Sequence, residues 1–472
     1  MSASSQKSTA AANGARPACR FAEPASRIDF EYSKGPDVWS VFNPINFPTA
    51  VNLGQGFMNW APSPFVKNAF IKAAEERVDV HHYSHPKGRP RLRKAVAEYV
   101  GKSFHKPASA QDDAPPAQGQ LPQVRKTQEP LDVETEVQIT AGANGGIYSV
   151  LTAFLEAGDE VIFFEPFFDQ YEAEVMYNGG VPVCLPLIPP SSSSATSSSS
   201  ARNPSSNEWQ IPFDELREKC KSGKVKVLMV NTPHNPVGKV FTLQEIQKLA
   251  AIAIEFDLLV IADEVYDCLT FDGQEHLRIA SLEGMWERTI TVGSAGKTFS
   301  CTGWRVGWCV GAPHLIKATL AAHVRIVFCC NSTGSEAAAI GLEEAPNNGY
   351  FPKQIQEYAD RREILMKALD GLGMPYSVPH GAYFIMADAS SLELPADFEY
   401  PDSFKNQPRD YKMAYFLAKT CDVVCIPATA FSSKKNAHLY ENYLRFAFCK
   451  DNEIEEAAKR LEKIRPFLKQ KK

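Results

Sequence analysis

Apolar positions along the chain follow two different periods. In SPFVKNAFIKAAEERV, Phe65, Val66, Ala69, Phe70 and Ala73 recur at helical spacing behind a capping Ser63. HHYSHPKGRPRLRKAVAEYV follows, and its Pro/Gly turn leads into a second amphipathic helix from about Arg91. The central part then alternates. VETEVQIT, DEVIFFEP, VPVCLPL, KVKVLMVNTP, LLVIADEVY and TITVGSAG read as strands. GANGGIYSVLTAFLEAG, DELREKC and TLQEIQKLAAIAIEFD read as helices between them. The strand runs are continuous and rich in β-branched residues rather than alternating. Strands buried on both faces look like this, so the pattern predicts an α/β fold: a mostly parallel sheet covered by helices. After about residue 312 long helices take over, followed by the strand-like pieces GAYFIMAD, DVVCIPA and YLRFAFC, which predict a smaller α+β domain.

Length supports that division, because 472 residues exceed what one hydrophobic core usually organises. The expected layout is a tail over 1–26, an arm with part of the small domain over 27–80, a large domain over 81–335 and the small domain over 336–472. Two low-complexity stretches interrupt it. Residues 106–130 (KPASAQDDAPPAQGQLPQVRKTQEP) read as a disordered loop insertion, and the Ser-rich 189–208 as a flexible one. Strand–helix alternation resumes after each, so neither is a domain boundary.

Charge and composition narrow the function classes. The net charge is −5 with neutral histidines, so no broad basic face for nucleic acid is expected. No apolar run reaches the roughly 18 residues that span a bilayer. The 11 cysteines lack metal or redox spacing and read as free thiols in a reducing compartment. His81, His82 and His85 cluster, but no acid or cysteine completes a metal set, so they read as a surface turn. The first 26 residues are Ser/Ala-rich with Lys7, Arg16 and Arg20, which suits a disordered tail or a mitochondrial presequence. Cytoplasm and mitochondrion are both open.

Ligands of an open parallel sheet bind beyond the carboxyl ends of its strands. Polar groups gather at those ends here. TITVGSAGKTFSCTGWRVGWC sets Lys297 between apolar flanks, where a lysine forced toward neutrality is a nucleophile for carbonyl groups. Asp263 ends the run LLVIA, a costly place for a carboxylate unless a cation faces it. Asn231 and Asn235 stand in the rigid turn NTPHNPVG, and Tyr266 lies three residues after Asp263. GANGG opens a helix whose free N–H groups suit a phosphate. Each has a plainer reading as a loop lysine, a helix cap, an ordinary turn or core packing. Together they form the inventory for holding a phosphorylated pyridine aldehyde.

The ordered set NTPHNPVG, ADEVY and SAGKTFSCTGWRVG resembles the class I/II aminotransferases of pyridoxal-phosphate fold type I. VNLGQGF, GDEVIFFEPFFDQYE, NTPHNPVGKVF, GMWERTITVGSAGKTFSCTGWRVGW and YLRFAFCKD resemble the kynurenine aminotransferase branch, also called glutamine transaminase K or cysteine-S-conjugate β-lyases. The resemblance implies pyridoxal 5'-phosphate as cofactor and Lys297 as the Schiff-base lysine and proton-transfer base. It implies Asp263 at the ring nitrogen, Asn235 and Tyr266 at the ring hydroxyl, and Phe167 over the ring face. It implies Arg305 as the phosphate clamp, with Ser294, Gly142, Ala143, Asn144, Gly145 and Asn231 around the cofactor. It implies Arg445 for the substrate carboxylate, and Arg445 does interrupt the apolar strand LRFAF, where a buried guanidinium needs an anion. Gly56 permits close approach of substrate. Trp39, Tyr83 and Phe328 line the side-chain pocket, the last two reaching in from a partner subunit of a homodimer. The implied reaction is transamination of kynurenine, glutamine or aromatic amino acids with a 2-oxo acid, with β-lyase activity on the side. A non-enzymatic cofactor-binding regulator and an aminocyclopropane-carboxylate-synthase-like lyase are the alternatives. The chain departs from its relatives at Asn144, where many have an aromatic, and at Cys329, where some have histidine.

Overall fold

The computed structural model describes residues 38–42, 49–190 and 203–469. The expected tail or presequence lies outside these residues, as does 191–202 of the Ser-rich stretch.

A two-residue strand, β1 (Val51–Asn52), precedes the central sheet. That sheet has seven strands: β2 (Val137–Thr140), β3 (Glu160–Glu165), β4 (Val181–Pro186), β5 (Val225–Asn231), β6 (Leu259–Asp263), β7 (Thr289–Ser294) and β8 (Gly307–Gly311), in the order β2-β8-β7-β6-β5-β3-β4. Only β8 runs antiparallel to its neighbours. The apolar runs are continuous because successive residues enter different cores. Val161 and Phe163 of β3 pack on one side, Ile162 and Phe164 on the other. Val227 and Met229 of β5 part from Leu228 and Val230 in the same way. Helix Gly142–Phe154 covers the first face through Ile147, Val150 and Leu151. Helix Leu243–Glu255 covers the second, started by a capping box in which Thr242 and Glu245 satisfy each other's backbone N–H.

Both early amphipathic helices form, over Pro64–Glu76 and Pro90–Gly101. Ser63 stands at the first N-cap but its side chain makes no capping bond. Pro64 starts that helix instead, with its φ preset and no N–H to satisfy.

A second, antiparallel sheet is ordered β12-β13-β10-β9, from β9 (Tyr376–Ser377), β10 (Phe384–Asp388), β12 (Ile426–Pro427) and β13 (Tyr443–Ala447). β11 (Val423–Val424) pairs in parallel with β1, so the N-terminal arm is hydrogen-bonded to the C-terminal part of the chain. Leu365, Leu369, Phe416, Leu444 and Phe446 fill its core.

Residues 106–130 depart from the expectation of disorder. Arg125 donates to the carboxylate of Asp113, and both side chains are buried. Asp113 also accepts the backbone N–H of Gly284 at 2.9 Å and of Glu287 at 3.0 Å. Arg125 donates further to the Ala280 carbonyl at 2.9 Å. A charge pair thus fixes text whose composition lacks apolar anchors. Removing one partner strands the other in a dry place. Arg125→Ala should lower the unfolding free energy by about 3 kcal/mol, read from the denaturant midpoint. The double variant with Asp113→Ala should recover part of that loss, and a double variant no better than the single one would refute the pairing.

Candidate active site

Three of the parallel strands deliver their last residues to one cavity of about 320 Å³, and a fourth leads toward it. β5 ends in Asn231 and β6 in Asp263, which are register partners. β7 ends in Ser294, and the single helical turn Ala295–Thr298 that follows carries Lys297. β2 ends at Thr140, and the chain turns through Gly142 into its helix. Gly142 has φ +73, and a Cβ there would stand 2.5 Å from the Arg305 guanidinium. Glycine is therefore required where the helix entrance and Arg305 meet. A Cβ on Gly307 would lie 2.7 Å from the Gly142 carbonyl carbon, so β8 and this turn touch backbone to backbone.

Lys297 Nζ donates to the Tyr383 hydroxyl at 2.9 Å and to the Gly56 carbonyl at 3.2 Å. Burial pushes its pKa down to about 8, aided by the Arg305 charge. Asp263 is pushed up to about 6, first by burial, while the Tyr171 hydroxyl that donates to it and the Val265 N–H pull the other way. The Asn231 side chain donates to the Asp263 carbonyl at 3.0 Å and accepts the Asn235 N–H at 2.8 Å. It thereby ties the 231–238 turn to the end of β6. Arg445 on β13 is buried between the rings of Phe384 and Phe431, each centroid 4.4 Å from its guanidinium carbon. It donates to Asn235 Oδ1 at 3.2 Å and to the Gly54 carbonyl at 2.6 Å. Burial lowers its pKa to about 10, which leaves it charged at neutral pH.

Gly56, Ala143, Asn144, Asn231, Asn235, Asp263, Tyr266, Ser294, Lys297, Arg305 and Arg445 all line this cavity. Gly142 and Gly145 are not among its lining residues; Gly142 meets the cavity only through Arg305, and Gly145 faces the Ala141 side chain. Phe167 does not reach it. Its N–H donates to the Phe431 carbonyl, and its ring is buried edge-on to Phe163, 4.9 Å away. The neighbouring Phe168 lines the cavity instead. Tyr83 and Phe328 lie away from it within one subunit. They pack edge to face at 5.1 Å and are 83% and 48% exposed. Trp39 belongs to the short helix Val38–Phe42. His81, His82 and His85 are exposed, and among the described residues no three His, Cys, Asp or Glu side chains are arranged for a metal. Among these residues, too, no helix is long and apolar enough to cross a membrane.

Tyr383, Phe57, Gln55, Val265 and Phe384 were not expected at the site, although Gln55 and Phe57 stand within VNLGQGF and Val265 within ADEVY. Tyr383 comes closest to carrying a signal, as an aromatic in GAYFIMAD, but only the packing of β10 against Gly56 brings its hydroxyl to Lys297.

An amine tuned toward neutrality, a buried carboxylate, an anion-ready helix entrance and a guanidinium in one cavity are the equipment of an aminotransferase on the fold of type I pyridoxal-phosphate enzymes. The chain belongs to the class I and II aminotransferase family, whose sequence profile matches residues 48–461. It is 38% identical to the kynurenine–oxoglutarate transaminase of Dictyostelium discoideum, over 89% of this chain and 92% of that protein. It is 34% identical to kynurenine–oxoglutarate transaminase 3 of Homo sapiens, over 90% and 87% respectively. The crystal structure of Bna3p from Saccharomyces cerevisiae superposes with a TM-score of 0.81 at 36% identity, covering 92% of this chain and 96% of that one. The chain is a transaminase in class, which sets aside the reading as a non-enzymatic regulator.

The lowered pKa of Lys297 has a direct consequence. Neutral amine, not ammonium, attacks an aldehyde, so the cofactor-free protein should label at Lys297 with a rate that rises to half its maximum near pH 8. Exposed lysines should follow the ordinary value near 10.4. Borohydride trapping of a simple aldehyde with peptide mass spectrometry reads both, and a Lys297 profile centred with the exposed lysines would contradict the burial argument.

Proposed function

We propose that this protein is a pyridoxal 5'-phosphate-dependent aminotransferase that takes L-kynurenine as amino donor and a 2-oxo acid as acceptor. The observation that carries the reading is the convergence of Lys297, Asp263 and Arg445 on one cavity, each from a different element. The residues fit the cofactor. The glycine entrance at Gly142, with Arg305 against it and Ser294 nearby, suits a phosphate dianion, which no apolar pocket would accept. Asp263, half-protonated near pH 6 by burial, gains most from a cation placed against it, as a protonated ring nitrogen would be. Asn235 and Tyr266 would hold the ring hydroxyl, and Phe168 would cover a ring face.

When bound, pyridoxal 5'-phosphate supplies an aldehyde that carries the amino group and a protonated ring that accepts an electron pair. The chain's own residues do the rest. Arg445 holds the α-carboxylate of either substrate, with Asn235 orienting the guanidinium from one side and the Gly54 carbonyl from the other. Lys297 Nζ, neutral above about pH 8, takes the α-proton of the amino acid and returns it on the reverse half of the cycle. Tyr383, itself bonded to the Gly56 carbonyl at 2.8 Å, keeps Nζ on the cavity side. Phe57, Phe168 and Phe384 give the lining an aromatic character that suits the ring of kynurenine.

Two further features belong to this reading. The exposed pair Tyr83 and Phe328 would enter the cavity of a second copy in a homodimer. Kynurenine as the donor rests on the likeness to the Dictyostelium and human transaminases over nearly the whole chain.

Mixing the holoenzyme with L-kynurenine and no acceptor should bleach the cofactor absorbance, and 2-oxoglutarate should restore it. Bleaching by another amino acid but not by kynurenine would transfer the reading to that donor. Arg445→Lys keeps a charge but loses the planar two-point grip. It should cost about 2 kcal/mol of transition-state binding, read as a roughly thirtyfold fall in kcat/KM for donor and acceptor alike. An unchanged kcat/KM would remove Arg445 from its assigned role.

A further inference from the structure

We propose that Lys450 is a specificity-determining positioning residue, holding Phe57 as the rim of the substrate cavity by gripping its carbonyl and its ring together. The inference rests on the aminotransferase reading above and extends it to a residue outside the cavity lining.

Lys450 follows the strand that carries Arg445, and it is 1% exposed. Its Nζ donates to the Phe57 carbonyl at 2.6 Å and lies 3.6 Å from the centroid of the Phe57 ring. The Cys449 thiol reaches the same carbonyl at 3.5 Å. Glu453 supports the ammonium by charge at longer range. A buried ammonium is costly, and methionine would fill the same space without that cost. Methionine could supply neither the hydrogen bond nor the cation–π contact, and here both are aimed at one residue.

That residue matters to the site. Phe57 lines the cavity and is 40% exposed, an aromatic ring at the cavity's edge. It directly follows Gly56, whose carbonyl receives Lys297 and Tyr383. The segment is stitched to the end of β13 at several points: the Leu53 carbonyl to the Ala447 N–H at 2.7 Å, Gly54 to Arg445, Phe57 to Lys450, and Asn59 to Asp451 through two bonds of 2.7 and 3.0 Å. Within this series only Lys450 meets a ring of the 53–59 segment itself, and that ring lines the cavity. An exposed ring has rotamer freedom, and a cation against its face removes it. A bulky donor gains from a rim already in place. A small donor does not reach it.

Lys450→Met should leave the unfolding midpoint unchanged or raise it, because a buried charge is removed. KM for L-kynurenine should rise about tenfold, the cost of a desolvated cation–π contact, with kcat within about twofold. KM for L-alanine should stay within about twofold. The Kd of 3-phenylpropionate, measured by calorimetry on the holoenzyme, should weaken by the same factor as the kynurenine KM. Phe57→Leu should show a similar selective loss, and the double variant should be no worse than Phe57→Leu alone. Lys450→Gln keeps a donor without charge and should fall between wild type and Lys450→Met, so it judges the proposal if the methionine variant does not fold. Additive losses in the double variant, equal losses for kynurenine and alanine, or an unchanged kynurenine KM each overturn the clamp. A wild type that turns over no aromatic donor overturns the proposed substrate instead, and phenylpropionate binding still decides on Lys450.

Discussion

Ionisable groups in this protein are held in a cavity that water does not fully screen, and that desolvation governs their chemistry. The Lys297 ammonium loses more hydration than its neutral amine, so its pKa falls to about 8. The same burial drives Asp263 the opposite way, to about 6, because there the charged form is the anion. One physical cause thus moves an amine and an acid toward neutrality from opposite sides. It produces a proton acceptor and a site that welcomes a cation within the same cavity. Arg445 is buried as deeply, yet a pKa near 10 leaves it charged. Two phenylalanine faces and two neutral oxygens hold its fork open toward the cavity.

Holding these groups in place needs two sheets. The large sheet supplies Asn231, Asp263, Ser294 and Lys297 from adjacent strand ends, so their spacing follows from strand pairing rather than from loops. The four-stranded sheet supplies Arg445 from β13, and Tyr383 stands just before β10. Between them runs the segment from Leu53 to Asn59, whose carbonyls at Gly54, Gly56 and Phe57 accept from Arg445, Lys297 and Lys450. Lys297, Arg445 and Lys450 are therefore hydrogen-bonded to one stretch of backbone. That stretch can have no bulk at Gly56, where a Cβ would lie 2.7 Å from the Phe384 ring.

The chemistry was legible in the sequence wherever a charge broke an apolar run. Lys297, Asp263 and Arg445 stood out because burial of a lone charge demands a partner; the strand pattern placed Lys297 and Asp263 at one sheet edge, and only the family resemblance brought Arg445 there. Residues that act through a hydroxyl or a ring were harder to read, because Tyr171 and Tyr383 look like any buried tyrosine until packing aims them. Phe167 and Phe168 differ by one position in a turn, and one position exchanges the core for the cavity. Residues 106–130 misled for a related reason. Composition averages over the segment, whereas its place is fixed by Asp113 and Arg125 meeting across it. The antiparallel β8 was also hidden, since WRVGWC is as apolar as its parallel neighbours.

A division of labour follows from which sheet carries which group. The strand ends and the Gly142 turn hold Asn231, Asp263, Ser294 and the Arg305 contact. They tolerate little change, because strand register fixes Asp263 against Asn231 and leaves no slack. Substrate choice falls instead to side chains that register does not fix. Asn144 sits on the first turn of its helix and exposes an amide to the cavity. Phe57 and Phe168 stand on irregular backbone. An amide at position 144 removes one apolar wall, so discrimination between aromatic donors shifts to the rings that remain. The most exposed of those is Phe57, and its orientation depends on a lysine that never touches the substrate.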